Sequence, residues 1–234
     1  MIEIIPTNTC PPDLAELARR SEAFSKFSTH VQLDVGDGAF VSARSWPYGL
    51  GQMSELKTLV QTGEGLPCAD TLTYEVHIMA EEPQDVGTWL ARANVARIIG
   101  HVEAFADASE VRGALDAWRS AGAAEVGLAL LLDTPLPVIE ALIDACDVVQ
   151  VMSIARLGYQ GAPFESRVFD RIAELHAGRP DLVIEVDGGV SESNIAELVR
   201  AGASRFGVGS AIMKTDDPKA AYERLLSLAE SAIQ

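Results

Sequence analysis

Apolar residues recur along this chain in two rhythms. Short runs suited to buried strands appear at Ile2 to Ile5, Val31 to Val35, Leu72 to His77, Ala96 to Val102, Glu125 to Leu130, Val148 to Met152, Val183 to Val186 and Arg205 to Val208. Between several of them lie stretches whose apolar positions repeat at helical spacing: Leu14, Leu17 and Phe24; Val111, Leu115 and Trp118; Val168, Ile172 and Leu175; Ile195, Leu198 and Val199; and Tyr222, Leu225, Leu226, Ala229 and Ile233. Ser191 or Ser193 is expected to cap the helix that Gly202 ends, and Asp217 followed by Pro218 reads as the start of the last helix. Eight strand-like runs separated by helices predict an α/β fold with a parallel sheet, and more specifically a TIM (β/α)8 barrel. The turn Ala121-Gly122-Ala123 returns as Ala201-Gly202-Ala203, a faint mark of repeated βα units.

The chain has 234 residues, close to the roughly 250 typical of this barrel. No linker or break in composition divides it, so residues 1–234 are expected to form one domain. No apolar run approaches a membrane span, and MIEIIP reads as a first strand and not a leader, which predicts a soluble, cytoplasmic protein. Cys10, Cys68 and Cys146 stand far apart and suggest neither a disulfide framework nor a thiolate zinc site. The net charge of −16 disfavours nucleic acid and anionic membranes as partners. It does not disfavour a small phosphate ester, because backbone N–H groups supply local positive potential.

In a barrel the chemistry sits at the carboxyl ends of the strands. The stretch from Leu182 to Met213 ends two successive strands in glycines, Gly188 and Gly189, then Gly209 with Ser210, a pattern suited to gripping phosphate. Asp187 ends the first of these strands. On the second strand, alternation turns Gln32 and Asp34 inward, with His30 one layer deeper and read as packed core. His77 ends the third strand. Two aspartates, a histidine and an amide at one rim suit a divalent cation such as zinc, manganese or iron, which would polarise a carbonyl. Two aspartates facing each other across a planar intermediate suit epimerisation. Taken singly, Asp37-Gly38 reads as a turn and Met79 and Met152 as core filler. Trp89 and Trp118 read either as packing or as contacts between copies in a homo-oligomer.

At these residues the chain resembles the ribulose-phosphate 3-epimerase family of metal-dependent barrels. Ile5-Pro6-Thr7 resembles its opening strand, and Leu33-Asp34-Val35-Gly36-Asp37-Gly38-Ala39-Phe40-Val41 its DVMDGxFV. Glu75-Val76-His77-Ile78-Met79 with Pro83 is similar to DVHLMVxxP, and His101-Val102-Glu103 to an HxE after strand four. Val151-Met152-Ser153-Ile154, Leu157-Gly158-Tyr159-Gln160-Gly161, Val186-Asp187-Gly188-Gly189-Val190 and Gly209-Ser210-Ala211-Ile212 complete the ordered series. The resemblance implies a pentulose-phosphate 3-epimerase in which Asp34 and Asp187 form the acid/base pair. It also implies that both ligate one divalent metal ion with His77. Thr7 would meet the substrate, Gly188, Gly189, Gly209 and Ser210 its phosphate, and the loop from Gly158 to Gly161 would close over it. The family has histidine where this chain has Gln32, an amide whose oxygen is a weaker ligand. Phe40-Val41-Ser42-Ala43 and Leu132-Asp133-Thr134-Pro135 depart from the family's FVPN and NPGTP segments, and Arg156, in the loop after strand six, reads equally as a phosphate contact or a solvated side chain. These departures leave two alternatives open: an epimerase, isomerase or lyase acting on a hexulose phosphate, and a phospho-sugar binding protein without turnover.

Overall fold

A computed structural model describes residues 2–155, 157 and 162–233. The strands are β1 (Glu3–Thr9), β2 (His30–Gly36), β3 (Thr73–Met79), β4 (Arg97–His101), β5 (Glu125–Leu130), β6 (Val148–Met152), β7 (Val183–Asp187) and β8 (Arg205–Val208). They pair in sequence order, all parallel, and β8 closes on β1. This is the expected barrel. The helices are α1 (Leu14–Phe24), α2 (Gln52–Thr62), α3 (Pro83–Arg92), α4 (Ala108–Ala121), the short α5 (Pro137–Glu140), α6 (Val168–Gly178), α7 (Ile195–Ala201), the short α8 (Ser210–Met213) and α9 (Pro218–Ser231).

The apolar rhythm locates most of these elements, and its misses have local causes. β1 runs on to Thr9, because the polar residues Thr7, Asn8 and Thr9 still pair with β2, opposite Gln32, Leu33 and Asp34. In α2 only Leu56 is fully buried, so its stripe is too thin to stand out, and α3 buries Gly87 and Ala91, which do not read as apolar. Asp217 caps α9 as expected, accepting from the Ala220 N–H at 3.0 Å. The serines before α7 do not cap it. Ser191 Oγ and Ser193 Oγ bond each other at 2.9 Å, while Asn194 Oδ1 accepts from the Ser191 N–H at 2.9 Å and its amide donates to the Gly189 carbonyl at 3.0 Å.

Two compartments share the sheet. Outward residues such as Leu33, Val76, Ile98, Leu128, Val149, Ile184 and Phe206 are fully buried beneath the helices and form the main apolar core. Trp118 of α4 belongs to it, packed over Gly87 and Gly100 with its indole N–H donating to the Gln84 carbonyl at 3.0 Å. Its role is packing between helices. Trp89 is partly buried, with Lys57 and Arg92 over its ring.

The inward face is mostly polar, apart from a small apolar cluster of Ile99, Ala129 and Val148. At the amino-terminal end of the barrel Arg97 donates to Glu3 (2.9 Å) and Glu125 (3.2 Å), and Arg205 to Glu75 (3.3 Å) and Glu125 (2.9 Å), with Glu3 2.9 Å from the Arg205 Nε. His30 joins this floor and is not packed core. Its Nε2 lies 3.3 Å from Glu3 Oε1 and its side chain keeps 31% exposure, because β2 starts at the open end of the barrel.

Carboxylates outnumber guanidiniums in this floor, and Glu185 bears the consequence. It is completely buried, and among the described residues neither of its oxygens has a hydrogen-bond partner, Arg205 Nη1 standing off at 3.9 Å; nor does Glu75 Oε1. Burial, then the neighbouring Glu75, pushes the Glu185 carboxyl well above its ordinary value of 4.5. A raised folded-state pKa adds stability that is complete below the unfolded value and is lost as pH rises through the folded one. E185Q removes that loss and leaves an amide donor for Glu75 Oε1. Its melting temperature should match wild type near pH 4 and exceed it at pH 8 by at least about 2–4 °C, the shift that roughly 1 kcal/mol makes in a chain of this size. Equal melting curves at both pH values would refute this assignment.

Candidate active site

The carboxyl ends of the strands surround a hollow lined by Thr7, Thr9, Asp34, Asp187, Gly188, Gly189, Gly207, Gly209 and Ser210, with an apolar side of Met79, Met152, Ile154, Leu157 and Val190. Met79 and Met152 therefore do more than fill core. They sit at strand ends, where a buried side chain faces the hollow.

Asp34 reaches the hollow because inward alternation on β2 places it one pleat beyond Gln32, opposite His77 in the β2/β3 register. Asp187 arrives from the end of β7. One donor atom each from Asp34, His77 and Asp187 lies within 4.8 Å of the others. His77 is fully buried, and its Nδ1 stands 3.4 Å from Asp34 Oδ1 and 3.4 Å from Asp187 Oδ2. Burial pulls the imidazolium down, but the two aspartates together outweigh it and hold its pKa up at about 9. Burial and the nearness of Asp187 push the Asp34 carboxyl up, against the pull of His77 and Gln32.

Each aspartate has an amide beside it. Gln32 Nε2 donates to Asp34 Oδ1 at 2.8 Å, and Gln150 Nε2 donates to Asp187 Oδ2 at 3.3 Å while lying 3.2 Å from His77 Nδ1. Sequence reasoning missed Gln150. The signal was there: it is the polar residue on the inward face of β6, between Val148 and Met152. Gln32 Oε1 is buried with no hydrogen-bond partner among the described residues. Both it and Asp187 Oδ1 crowd the bare Cα of Gly207, where an added Cβ would meet them at 2.5 and 3.1 Å. A buried acceptor without a donor, beside two carboxylates and an imidazole, fits a divalent cation.

The glycines expected to grip phosphate border the same hollow. Gly188 (φ 105°) and Gly189 (φ 66°) adopt consecutive left-handed conformations, which only glycine takes at no steric cost, and a Cβ on Gly188 would strike Ile154 at 2.6 Å. Gly209 and Ser210 open α8, whose first N–H groups have no intrahelical acceptor. Thr7 is buried, its hydroxyl oxygen has no partner among the described residues, and it faces the hollow too. Gly158 and Gly161, expected to close over a substrate, and Arg156 lie outside the described residues.

Behind His77 stand two residues to which the motif match gave no role. His77 Nε2 is 2.9 Å from His101 Nε2, and His101 Nδ1 is 3.1 Å from Glu103 Oε2. Burial, reinforced by His77, lowers the His101 pKa to about 4. Burial pulls Glu103 up, but His101, Thr134 and the Leu131 N–H outweigh it and hold its carboxyl down.

The chain resembles known proteins over nearly its whole length. It is 31% identical over 231 residues to the ribulose-phosphate 3-epimerase of Bacillus subtilis (96% of this chain, 98% of the relative). To that of Escherichia coli it is 30% identical over 229 residues (96% and 95%), and to that of Aquifex aeolicus 31% over 207 residues (87% and 86%). Among solved structures, KGPDC from Streptococcus mutans superposes with a TM-score of 0.70 at 12% identity over the full length of both chains. A 3-hexulose-6-phosphate synthase gives 0.66 at 16% identity, covering 97% of this chain and 99% of its own. These two likenesses speak for the fold. No helix among the described residues is long and apolar enough to cross a membrane. The model of the ribulose-phosphate 3 epimerase family matches residues 5–213, and with the curated relatives this establishes that the chain belongs to that family.

Proposed function

We propose that this protein interconverts D-ribulose 5-phosphate and D-xylulose 5-phosphate by moving the proton at C3. The observation that carries the reading is that Asp34 and Asp187, distant in sequence, border one hollow beside His77, next to the turns Gly188-Gly189 and Gly209-Ser210. The glycine turns and the start of α8 hold the phosphate through backbone N–H groups, so the C2 carbonyl and C3 come to rest between the two aspartates. One aspartate, as carboxylate, takes the C3 proton, and the electron pair of the C–H bond moves into the C2–C3 bond while the carbonyl oxygen becomes anionic. The other, as carboxylic acid, returns a proton to the opposite face of C3. Thr7 offers a hydroxyl to the sugar, and the apolar wall of Met79, Met152 and Ile154 keeps bulk water from the planar intermediate.

Asp34, His77 and Asp187 would hold one zinc, manganese or iron ion, with Gln32 Oε1 as a further oxygen donor. Such an ion supplies positive charge for the enediolate oxygens.

In deuterium oxide the protein should build deuterium into C3 of ribulose 5-phosphate as xylulose 5-phosphate appears. Hexulose phosphates offered alongside should exchange far more slowly. Protium retained at C3 of every ketose phosphate offered would overturn the reading.

A further inference from the structure

His77 shows its two nitrogens to different surroundings. Nδ1 faces the carboxylates, and Nε2 faces His101 at 2.9 Å. His101 has no exposed surface, and its ring is held between His77 (centroids 5.0 Å apart) and Phe40 (4.8 Å). Its Nδ1 meets Glu103 Oε2 at 3.1 Å. Glu103 is fixed from behind, because its Oε1 accepts from the Leu131 N–H at 2.8 Å and from the Thr134 hydroxyl.

The direction of this chain follows from what each group is able to donate. A carboxylate only accepts, so His101 carries its hydrogen on Nδ1. The contact between the two Nε2 atoms has room for one hydrogen. With His101 donating from Nδ1, its Nε2 offers the lone pair and His77 donates from Nε2. When His77 is neutral, as a metal ligand must be, the nitrogen left to offer a lone pair is then Nδ1, on the side of Asp34 and Asp187.

We propose that Glu103 and His101 are positioning residues that select the Nε2–H form of His77 and so present its Nδ1 lone pair to the divalent cation. This rests on the metal-dependent reading given above. A hydrogen bond on the far nitrogen of a ligating histidine fixes tautomer and ring orientation, and losing such a partner costs about 10–100-fold in metal affinity.

E103Q tests the direction of the chain with almost no change in shape. Leu131 N–H and Thr134 O–H keep an oxygen at the Oε1 position, so the new NH2 group turns toward His101 Nδ1. A donor there moves the His101 hydrogen to Nε2, where it opposes His77 and drives the His77 hydrogen onto Nδ1, the ligand position. H101F removes the acceptor altogether and keeps a ring against Phe40. The measurements are zinc affinity by chelator competition and 15N NMR of His101 in the metal-free protein at a pH where His77 is neutral. Wild type should show His101 protonated at Nδ1. E103Q should show it at Nε2, and both variants should bind zinc about 10–100-fold more weakly. If wild type binds zinc but both variants bind it equally well, or if wild-type His101 is protonated at Nε2, the positioning role falls and the epimerase reading stands. If wild type binds no zinc, manganese or iron, the metal reading fails and this inference goes with it.

Discussion

Asparagine in place of Asp187 should slow exchange of the C3 proton with solvent by at least about 10²–10⁴-fold, the usual worth of a positioned acid or base. The substitution is nearly isosteric and falls at the end of β7, on the rim and outside the apolar core, so the barrel should fold as before. Asparagine is unable to take or give the proton at C3, and its amide would confront the Gln150 NH2 that now donates to Asp187 Oδ2. D34N should behave alike, because Gln32 donates to Asp34 in the same manner. D34N/D187N should epimerise little more slowly than either single variant, since turnover needs both faces of C3 served and groups that act in one sequence fail as a unit. His77 gives a separate readout. Its pKa, held at about 9 by both aspartates in the metal-free protein, should fall in each variant, so that the ring loses its proton at a lower pH. Unchanged exchange in both variants would end the two-aspartate mechanism. Lost exchange with an unshifted His77 would instead show that the three side chains do not meet as described.

G207A adds one methyl group to the wall of the hollow, beside Asp187 and Gln32, and is expected to cost about 100-fold in turnover. The added Cβ would stand 2.5 Å from Gln32 Oε1 and 3.1 Å from Asp187 Oδ1. Both side chains must move, and both belong to the site. Displacing a catalytic group by about 1 Å is enough for a loss of this order. The apolar core on the other side of β8, including Phe206 and Val208, is untouched, so the thermal transition should move little compared with the rate. Wild-type turnover in G207A would mean that this face of the site has slack the geometry denies.

The barrel could be read from the sequence because each strand repeats one demand, an apolar face toward the helices. Asp34 and Asp187 could be read because strand ends in glycine turns are conspicuous. Other features left a weaker trace. The floor of Glu3, Glu75, Arg97, Glu125, Glu185 and Arg205 comes from six strands, and each member looks like an isolated charge until the sheet closes. Gln150 was visible as an interruption in an apolar strand, but its partners His77 and Asp187 lie on other strands. Asn194, which ties the Gly189 turn to the start of α7, was overlooked because neighbouring serines matched the capping pattern better.

The separation of an oily outer layer from a polar lumen makes this scaffold forgiving. Contacts that hold the helices to the sheet never enter the lumen, and the residues at its upper rim carry little of the load that keeps the chain folded. Replacements there should be tolerated without collapse. A library randomised at the inward rim positions should therefore yield mostly folded proteins with altered appetites, and selection from it would retune the chemistry while the framework stays constant.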